Sequence, residues 1–497
     1  MSCISKSKYL NFVVCPKKYW LSCHNPEVAT INEMNESLKL QGHEVGEMAL
    51  RLFDQVANVK RLKPDGSLDI GEMLNCTQDL VLSNCPAIAE ASFSNKDVFC
   101  SVDILKNNFD GSWDIYEVKA SKENKPEYYL DIAFQKYVLT ECGVFVRQCY
   151  LVTLNGKYVR SGEIEPDKLF IKEEVSNELD KYIVDIAANV AEAQSIHALS
   201  QLDFELSKSC TGCDFFAHCT KALDKPNIFE RYNFRKKIEW YKEGVVTFLD
   251  IWNKKNKLEK LTDIQYRQIE HCIHTLPIYI DKVGLQAFLD NIKFPIYFLD
   301  FETLSTAIPL IDGISPYEKL LVQYSIHILY KGQDTLEHKE FLADESNISL
   351  RLLAEKLVAD IPLDKGSILC YNAGFEKGVI KAMAARFSDL QAPLMNICTR
   401  IIDLLKVFRQ GYVYNKEMGG SFSLKSVLPA LIPNNPALSY ALLDAVHNGV
   451  DAMQAFLSLN QLPKEDRVPL RESLKKYCAL DTLAMAVIYQ ELCSMLV

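Results

Sequence analysis

The sequence predicts an α/β protein built from two domains. A chain of 497 residues is too long for a single ordinary hydrophobic core, so two or three domains are expected. One set of strand patterns lies within residues 86–153, and a second set begins with the apolar run 296–303. Both sets carry carboxylates inside apolar strands, where an unpaired charge is costly. Each set therefore predicts an α/β domain with its own acidic site.

Composition and charge restrict the class of protein. Hydrophobic residues make up 48% and charged residues 24%, which is typical of soluble globular proteins. The formal charge of −10 argues against a protein that coats nucleic acid by bulk electrostatics, although a local basic groove remains compatible. No apolar run approaches the roughly 18 residues of a membrane span, and the N-terminal M-S-C-I-S-K-S-K lacks the apolar core of a signal peptide. We therefore expect a cytoplasmic protein without a membrane partner.

The first strand set carries three chemically useful side chains. Strands are predicted at 90–93, 98–105, 113–119 and 147–153, with helices at 5–21, 31–56, 126–140 and 173–198. Asp103 and Glu117 fall inside apolar strands, and Lys119 lies on the same strand face as Glu117. Two such carboxylates can hold a divalent metal while the lysine polarises an attacking water. The alternative is a structural ion pair between Lys119 and Asp103.

The cysteines suggest a second kind of site. Most of the sixteen are isolated among apolar neighbours and are expected to be small buried side chains. Cys210, Cys213 and Cys219 instead form a compact ligand-like cluster in S-C-T-G-C-D-F-F-A-H-C. Cys15 precedes Pro16 at a helix break, where a half-buried thiol is the simpler interpretation.

These motifs resemble those of a known nuclease family. Residues 1 to about 220 resemble the RecB-like branch of the PD-(D/E)xK nucleases, specifically members with a four-iron cluster such as the CRISPR-associated adaptation nucleases. His43 in G-H-E-V-G matches the additional metal-binding histidine of that family, and Asp103 matches its first metal carboxylate. Its E-x-K motif is Glu117 and Lys119 here. Gln135 matches the start of a substrate-positioning Q-x-x-x-Y motif, although leucine stands where tyrosine is expected.

The same resemblance assigns the cysteines. It implies that Cys15 joins Cys210, Cys213 and Cys219 as the ligands of a 4Fe-4S cluster that ties the two ends of the domain together. Four thiolates also accept Zn²⁺, and the residues alone leave that choice open. His218 beside Cys219 is an alternative ligand.

The region between the two strand sets has no chemistry that its residues identify. The stretches R-Y-N-F-R-K-K-I-E-W-Y-K and N-K-K-N-K-L-E-K are basic and partly aromatic. A helical connector that guides a nucleic acid strand and an ordinary solvated helix face both fit this pattern. We therefore predict a nuclease domain at 1–222, a connector at 223–292 and a second domain at 293–497.

The second strand set begins with I-Y-F-L-D-F-E-T at 296–303. Asp300 and Glu302 alternate along this strand and so project from one face, which is costly unless a cation lies between them. A buried strand at 367–371 ends at Asn372, and Glu376 lies on the first turn of the next helix, at the carboxyl edge where α/β sites gather.

The last predicted helix completes this acidic set. Tyr477 and Asp481 are four residues apart and share a helix face, although such a pair is commonly structural. From 294 to the C-terminus the sequence resembles the DnaQ-like 3′–5′ exonucleases of the DEDD type, tyrosine variety, which implies an RNase H-like fold. The resemblance implies these metal ligands, a water-orienting residue and a substrate-positioning residue: Asp300, Glu302, Glu376, Asp481, Tyr477 and Asn372. Glutamate at 376 departs from the usual aspartate, and Asp403 is expected to support structure.

Together these resemblances imply a nuclease with two active sites. The chain resembles uncharacterised bacterial proteins that join the two modules, and we expect it to use Mg²⁺ or Mn²⁺ on DNA in preference to RNA, in repair or defence. Two alternatives remain at this stage. One is a nucleic-acid-binding or assembly protein with one or both sites inactive, and the other is a zinc-stapled RNase. The sequence predicts no particular protein partner.

Overall fold

The computed structural model describes residues 3–30 and 33–497, so the helix predicted at 31–56 starts outside the described residues. The chain is a mixed α/β protein with two compact units. The first unit comprises Met1–Lys221 and Ser305–Glu318, and the second comprises Ala222–Leu304 and Lys319–Val497. None of the helices in the described part is long and apolar enough to cross a bilayer.

The first unit is organised around a seven-stranded sheet. Its strands are β1 (Ile4–Ser5), β2 (Val56–Asn58), β3 (Ala87–Asn95), β4 (Val98–Asn107), β5 (Trp113–Lys119), β6 (Val146–Leu154) and β7 (Phe170–Glu174). The strand order is β2-β3-β4-β5-β6-β7, and β1 pairs with β4 in parallel. Its helices are α1 (Lys6–Val14), α2 (Pro16–His24), α3 (Glu33–Leu50), α4 (Ile70–Leu82), α5 (Pro126–Glu141), α6 (Pro166–Leu169), α7 (Ser176–Ile183), α8 (Ile186–His197) and α9 (Phe216–Thr220).

Helix α5 forms the core of this unit with the sheet. Its inner face is apolar and includes Ile132, Phe134 and Val138, all fully buried. The ring of Phe134 stacks on Tyr9 of α1 at 4.6 Å between centroids, so α1 joins the same core. The burial of these rings fixes the N-terminal helix against the sheet.

One predicted helix is different in the structure. Residues 173–198 are divided between the end of β7, helix α7 and helix α8. Strand β7 pairs antiparallel with β6, from Leu154↔Phe170 to Tyr150↔Glu174. Pairing with a neighbouring strand holds residues 170–174 extended, which the local sequence pattern did not indicate.

The second unit contains a five-stranded sheet of mixed direction and a two-stranded sheet. Its strands are β8 (Tyr279–Ile280), β9 (Ile296–Leu304), β10 (Leu320–Leu329), β11 (Leu336–Leu342), β12 (Ser367–Cys370), β13 (Ile401–Asp403) and β14 (Val413–Tyr414). The larger sheet has the order β11-β10-β9-β12-β13. The first three pair antiparallel, while β12 runs parallel to β9 and β13.

The helices of the second unit include those formed by the residues predicted as a connector, several of which pack in a hydrophobic cluster of their own. They are α10 (Lys237–Lys242), α11 (Phe248–Trp252), α12 (Lys255–Leu258), α13 (Asp263–His274), α14 (Lys282–Leu289), α15 (Leu350–Asp360), α16 (Gly374–Arg386), α17 (Gln391–Arg400), α18 (Lys406–Arg409), α19 (Leu424–Leu431), α20 (Gly449–Ser458) and α21 (Lys464–Ser494). Helix α21 packs across β9 and β10. Strand β9 therefore lies at the centre of the sheet, beneath the longest helix.

Candidate active sites

The second unit brings three predicted carboxylates together. Oxygen atoms of Asp300, Glu302 and Asp481 all lie within 4.8 Å of one another. Asp300 and Glu302 alternate along β9 and so share a face, and Asp481 reaches them from α21. Within the part of the chain that the structure describes, this is the group of ligand-type side chains close enough to hold a metal ion. We call these three residues, with Glu376 and Tyr477, the second-unit site.

Buried polar side chains of β10 set the position of α21. The Gln323 amide donates to the carbonyl oxygen of Leu474 at 3.0 Å. About two turns farther along α21, the Thr482 hydroxyl lies 2.8 Å from the Ser325 hydroxyl and 2.8 Å from Nδ1 of His327. These bonds are buried, so slipping the helix along the sheet would leave polar groups unsatisfied. The residue before Thr482 is Asp481, and it is thereby held at the sheet.

Glu376 approaches the same site from another direction. Strand β12 pairs with β9 in parallel as far as Leu369↔Phe298, so the helix that follows β12 starts beside Asp300. Glu376 on its first turn is 2% exposed, and its Oε2 has no hydrogen-bond partner. It raises the pKa of Asp300. A buried carboxylate oxygen without a donor fits a place where a cation would bind.

The turn before Glu376 depends on Asn372 and Asp403. Asn372 has a φ of 70°, in the left-handed region that asparagine tolerates better than most residues. Its backbone N–H donates to Oδ1 of Asp403 at 2.9 Å, and the N–H of Leu405 donates to the same oxygen at 3.1 Å. Asp403 therefore holds the turn, and Asn372 shapes the backbone that presents Glu376.

The acidic groups of this site resist ionisation. Burial, followed by repulsion from Asp481 and Glu302, raises the pKa of Asp300 well above its usual value. Burial and Asp481 raise the pKa of Glu302 to about 8. Burial raises the pKa of Glu376 to about 7 and that of Asp481 to about 6. Each shift reports negative charge without enough compensation, which one or two divalent cations would supply.

Two residues beside this site were not predicted from the sequence. The Tyr440 hydroxyl donates to Oδ1 of Asp481. Burial raises the pKa of Asp481, and the hydroxyls of Tyr440 and Tyr477 both act to lower it. The ammonium of Lys425 lies 5.0 Å from the centre of the Tyr440 ring and 5.3 Å from that of Tyr477, and it donates to the carbonyl of His447. Tyr440 and Lys425 lie in segments without a diagnostic pattern, so only the folded chain identifies them.

The first unit gathers its predicted residues around one cavity. His43, Asp103, Glu117 and Lys119 all line a cavity of about 390 Å³. Oδ2 of Asp103 accepts a hydrogen bond from the backbone N–H of Val118 at 2.8 Å, which links strands β4 and β5 at the site. We call this cavity and its charged lining the first-unit site.

The contacts of Lys119 differ from the predicted structural alternative. Its ammonium lies 2.5 Å from Oε1 of Glu117 and 2.5 Å from Oδ2 of Asp131, whereas the alternative paired it with Asp103. The Gln135 amide donates to Glu117 at 2.7 Å and to Asp131 at 2.9 Å. Gln135 thus binds the carboxylates of the site from helix α5. The sequence did carry a signal for Asp131, because it lies four residues before Gln135 on the same helix face.

Lys6 is the second residue of this site that was not predicted. Its ammonium lies 3.0 Å from Oε1 of Glu117 and 3.2 Å from Oδ1 of Asp131. Burial and Asp103 act to raise the pKa of Glu117, but Lys119 and Lys6 outweigh them and lower it. Burial and the charge of Glu117 raise the pKa of Asp131. Unlike the second-unit site, this site thus contains its own cations.

His43 belongs to the cavity but contacts a lysine. Its Nε2 lies 2.9 Å from the ammonium of Lys60, and the imidazole is exposed. A neutral imidazole is a suitable divalent-metal ligand, and here Nε2 accepts a hydrogen bond from the Lys60 ammonium instead.

The four predicted cluster cysteines lie near one another although Cys15 is distant in sequence. Burial, followed by the thiols of Cys213, Cys210 and Cys15, raises the pKa of Cys219 to about 11. Burial also raises the pKa of Cys213, with contributions from Cys15 and Cys210. Burial and neighbouring thiols thus both disfavour the thiolate forms of Cys213 and Cys219, which an iron–sulfur cluster or zinc would stabilise if one were bound. His218 lies next to them, and burial lowers its pKa.

Hydrogen bonds between α2 and residues 199–202 explain why Cys15 lies near the other three cysteines. The Lys17 ammonium donates to the carbonyl of Leu202 at 2.8 Å, and the Trp20 indole donates to the carbonyl of Leu199 at 2.9 Å. Cys15 is the residue between α1 and α2, and Pro16 and Lys17 follow it directly. The N-terminal helices are thereby joined to the segment that leads into the cysteine cluster.

Comparison with known proteins gives a family match of limited extent. Residues 297–423 match the family described as "Domain of unknown function (DUF2779)". This segment includes Asp300, Glu302 and Glu376 and ends before Tyr477 and Asp481.

Two relatives are similar to part of the chain. The "Uncharacterized protein MG366 homolog" of Mycoplasma pneumoniae is 25% identical over 277 residues, which are 50% of this chain and 41% of that protein. The "Uncharacterized protein MG366" of Mycoplasma genitalium is 27% identical over 211 residues, 39% of this chain and 31% of that protein. The chain thus spans less than half the length of either relative in these matches. No solved structure matches it.

Proposed function

We propose that this chain is a metal-dependent nuclease with two active sites that hydrolyses phosphodiester bonds of DNA. The observation that carries the proposal is the convergence of Asp300, Glu302 and Asp481 within 4.8 Å. Three carboxylates from two elements, each with a raised pKa, are unfavourable without a cation, and hard divalent ions prefer such oxygen ligands.

In the second-unit site, the carboxylates would hold Mg²⁺ or Mn²⁺. Asp300, Glu302 and Asp481 would be the ligands, with Glu376 reaching the ion through its longer side chain. When bound, such ions activate water and stabilise the charge that develops on phosphate oxygens. Tyr477 would orient the attacking water, because it lies one turn before Asp481 on α21 and faces the same carboxylates. The antiparallel meander continued by two parallel strands supports the RNase H-like assignment, and for this site we propose 3′–5′ exonuclease activity.

In the first-unit site, Asp103, Glu117 and His43 would hold a divalent ion at the shared cavity. Lys119 would orient the attacking water and stabilise charge on the phosphate, as an E-x-K lysine is expected to do. Gln135 holds Glu117 in place by its hydrogen bond. This site supports the assignment to RecB-like PD-(D/E)xK nucleases, and it would cut or trim DNA strands.

The experiment that tests the proposal is digestion of end-labelled strands. Wild-type protein with Mg²⁺ or Mn²⁺ is expected to degrade single-stranded DNA faster than the matching RNA, and EDTA is expected to stop the reaction. The variants Lys119→Ala and Asp300→Ala should each lose part of the activity, and the double variant should lose all of it. Equal degradation by wild type and the double variant would refute the site assignments. An inert wild-type protein would favour a nucleic-acid-binding role instead.

We also propose a 4Fe-4S cluster at Cys15, Cys210, Cys213 and Cys219. The support is that Cys15, Cys210 and Cys213 are close enough to Cys219 to raise its pKa, after burial, and that a hydrogen bond from Lys17 to Leu202 joins the segment after Cys15 to the segment that leads to the other three cysteines. Protein purified without oxygen should be brown and contain about four irons, and Cys213→Ser should lose them. Stoichiometric zinc with no iron would indicate the zinc-stapled alternative.

A further inference from the structure

The position of Lys6 follows from how two strands share one edge of β4. Strand β1 pairs with the start of β4, at Ile4↔Val98 and Ser5↔Phe99. Strand β5 pairs farther along the same strand, up to Ile104↔Tyr116. The end of β1 is therefore beside the end of β5, where the E-x-K motif lies. Lys6 is the residue that follows β1, and it lines the first-unit cavity.

Two ammonium groups share two carboxylates at this point. Lys6 lies 3.0 Å from Glu117 and 3.2 Å from Asp131, and Lys119 contacts the same two carboxylates at 2.5 Å. A single lysine would suffice to hold this carboxylate pair together. The second one is largely withdrawn from water, with its side chain 21% exposed, which costs solvation and calls for a compensating use.

Charge balance indicates what that use is. Asp103, Glu117 and Asp131 contribute three negative charges, and Lys6 and Lys119 contribute two positive ones. With one divalent ion, these five side chains and the ion carry a net charge of +1, which is opposite in sign and equal in magnitude to the charge of one phosphodiester group. Without Lys6 the same set would carry one positive charge fewer, which weakens its attraction for that phosphate, and the other charged residues that line the cavity, Lys39, Glu47 and Glu90, would not replace the lost positive charge.

We propose that Lys6 binds a non-bridging oxygen of the substrate phosphodiester in the first-unit site, while Asp131 and Gln135 keep Lys119 in position. This inference rests on the proposed nuclease function. During hydrolysis, the oxygen of water forms a new bond to phosphorus and one proton of that water is released to the solvent. The bond from phosphorus to the leaving oxygen breaks, and the leaving oxygen keeps the electron pair and takes up a proton from the solvent. Lys6 stays protonated throughout and stabilises the charge on the non-bridging oxygen.

The test uses full-length protein with Asp300→Asn, which disables the second-unit site. Lys6→Gln retains a hydrogen-bond donor for the carboxylates and removes the charge, and Lys6→Arg restores the charge. The control is Lys181→Gln, because Lys181 is exposed, lies in the same unit and also pairs with a carboxylate, Glu178. Thermal melting of each variant confirms that it folds.

Two readouts separate substrate binding from structural support. In Ca²⁺, which supports binding in place of Mg²⁺, Lys6→Gln should reduce the slope of log affinity against log salt for labelled single-stranded DNA by about 0.7, the value for one lost phosphate contact. In Mg²⁺ it should lower kcat/KM by about 10²-fold. Lys6→Arg should recover most of both, and Lys181→Gln should change neither.

The outcomes distinguish this inference from the function on which it rests. If the Asp300→Asn parent shows no cleavage that depends on Lys119, the proposed function of the first-unit site fails. If the parent cleaves, and Lys6→Gln matches the Lys181→Gln control in slope and rate, the inference about Lys6 alone is overturned.

Discussion

The two acidic sites of this chain balance their negative charge in different ways. In the first-unit site, Lys6 and Lys119 lie within 3.2 Å of Glu117 and Asp131. In the second-unit site, the carboxylates face one another, and their pKa values rise. Lys425, which lies beside the Tyr440 ring, acts to lower the pKa values of Glu302 and Asp481, but burial outweighs this effect and both values are raised.

Because of this difference, the activities of the two sites should depend differently on the metal concentration. A cation that enters the second-unit site relieves repulsion, so binding stabilises the folded protein strongly. A cation that enters the first-unit site must compete with two ammonium groups for Glu117. We therefore expect the second-unit site to reach half-maximal activity at a lower Mn²⁺ concentration than the first. Each of the following predictions tests this difference between the two sites.

The largest effect is expected for Asp300. In a Lys119→Ala background, Asp300→Asn should reduce release of nucleotides from 3′ ends by about 10³-fold or more, because a central ligand and its charge are lost. Quantified digestion of 5′-labelled single strands measures this loss. The matched control is Asp334→Asn, since Asp334 is exposed in the turn between β10 and β11. Retention of the 3′-end activity in Asp300→Asn would remove the second-unit site from the proposal.

Lys119 should have the next largest effect. In an Asp300→Asn background, Lys119→Ala should lower the remaining cleavage by about 10²-fold, because a positioned group that orients water contributes on that order. Single-turnover rates on the same strands give the comparison, with Lys181→Ala as the control. An unchanged rate would show that the first-unit site does not cleave by means of its E-x-K motif.

Substitutions of Tyr477 and of the neighbouring Tyr440 should have different effects on the second-unit site. Tyr477→Phe is expected to lower kcat by about 10²-fold as a water-orienting residue. Tyr440→Phe removes a hydrogen bond that favours ionised Asp481, so it should mainly raise the Mn²⁺ concentration required, by about 10-fold for each pKa unit gained by Asp481. Mn²⁺ titrations of both variants in a Lys119→Ala background measure the two effects. A fall in kcat alone for Tyr440→Phe would contradict this division of roles.

The smallest expected effect is on stability and depends on pH. The folded second unit binds more protons than the unfolded chain between about pH 4 and pH 8, because its carboxyl pKa values are raised, to about 8 for Glu302. Ion-free stability contributed by this site should therefore fall as pH rises through that window.

Added Mn²⁺ should reverse this loss, and more so at pH 8 than at pH 6. At ion concentrations about 100-fold above Kd, the melting temperature should rise by about 5–10 °C. Asp300→Asn should abolish most of this shift, whereas Lys119→Ala should retain it. A larger shift at pH 6 than at pH 8 would contradict the assigned charges.

Much of the local structure was predictable because it depends on short-range patterns. The alternation in 296–303 places Asp300 and Glu302 on one face in any register, and β9 has those residues at its end. Helix α5 and strands β4 and β5 likewise follow their local apolar patterns closely. The strand at 170–174 did not, because β7 is held extended by its pairing with β6.

The sequence by itself therefore determined the two strand sets, the carboxylates they carry and the cysteine motif, since each follows from residue spacing within one element. Only the tertiary structure brought Lys6 and Asp131 to Glu117, and Tyr440 and Lys425 to the second-unit site. Lys6 follows a two-residue strand, and Tyr440 lies in a short turn, so neither has a periodic pattern around it. Their roles depend on which distant segments pack together, and that is decided by the burial of whole elements rather than by spacing along the chain.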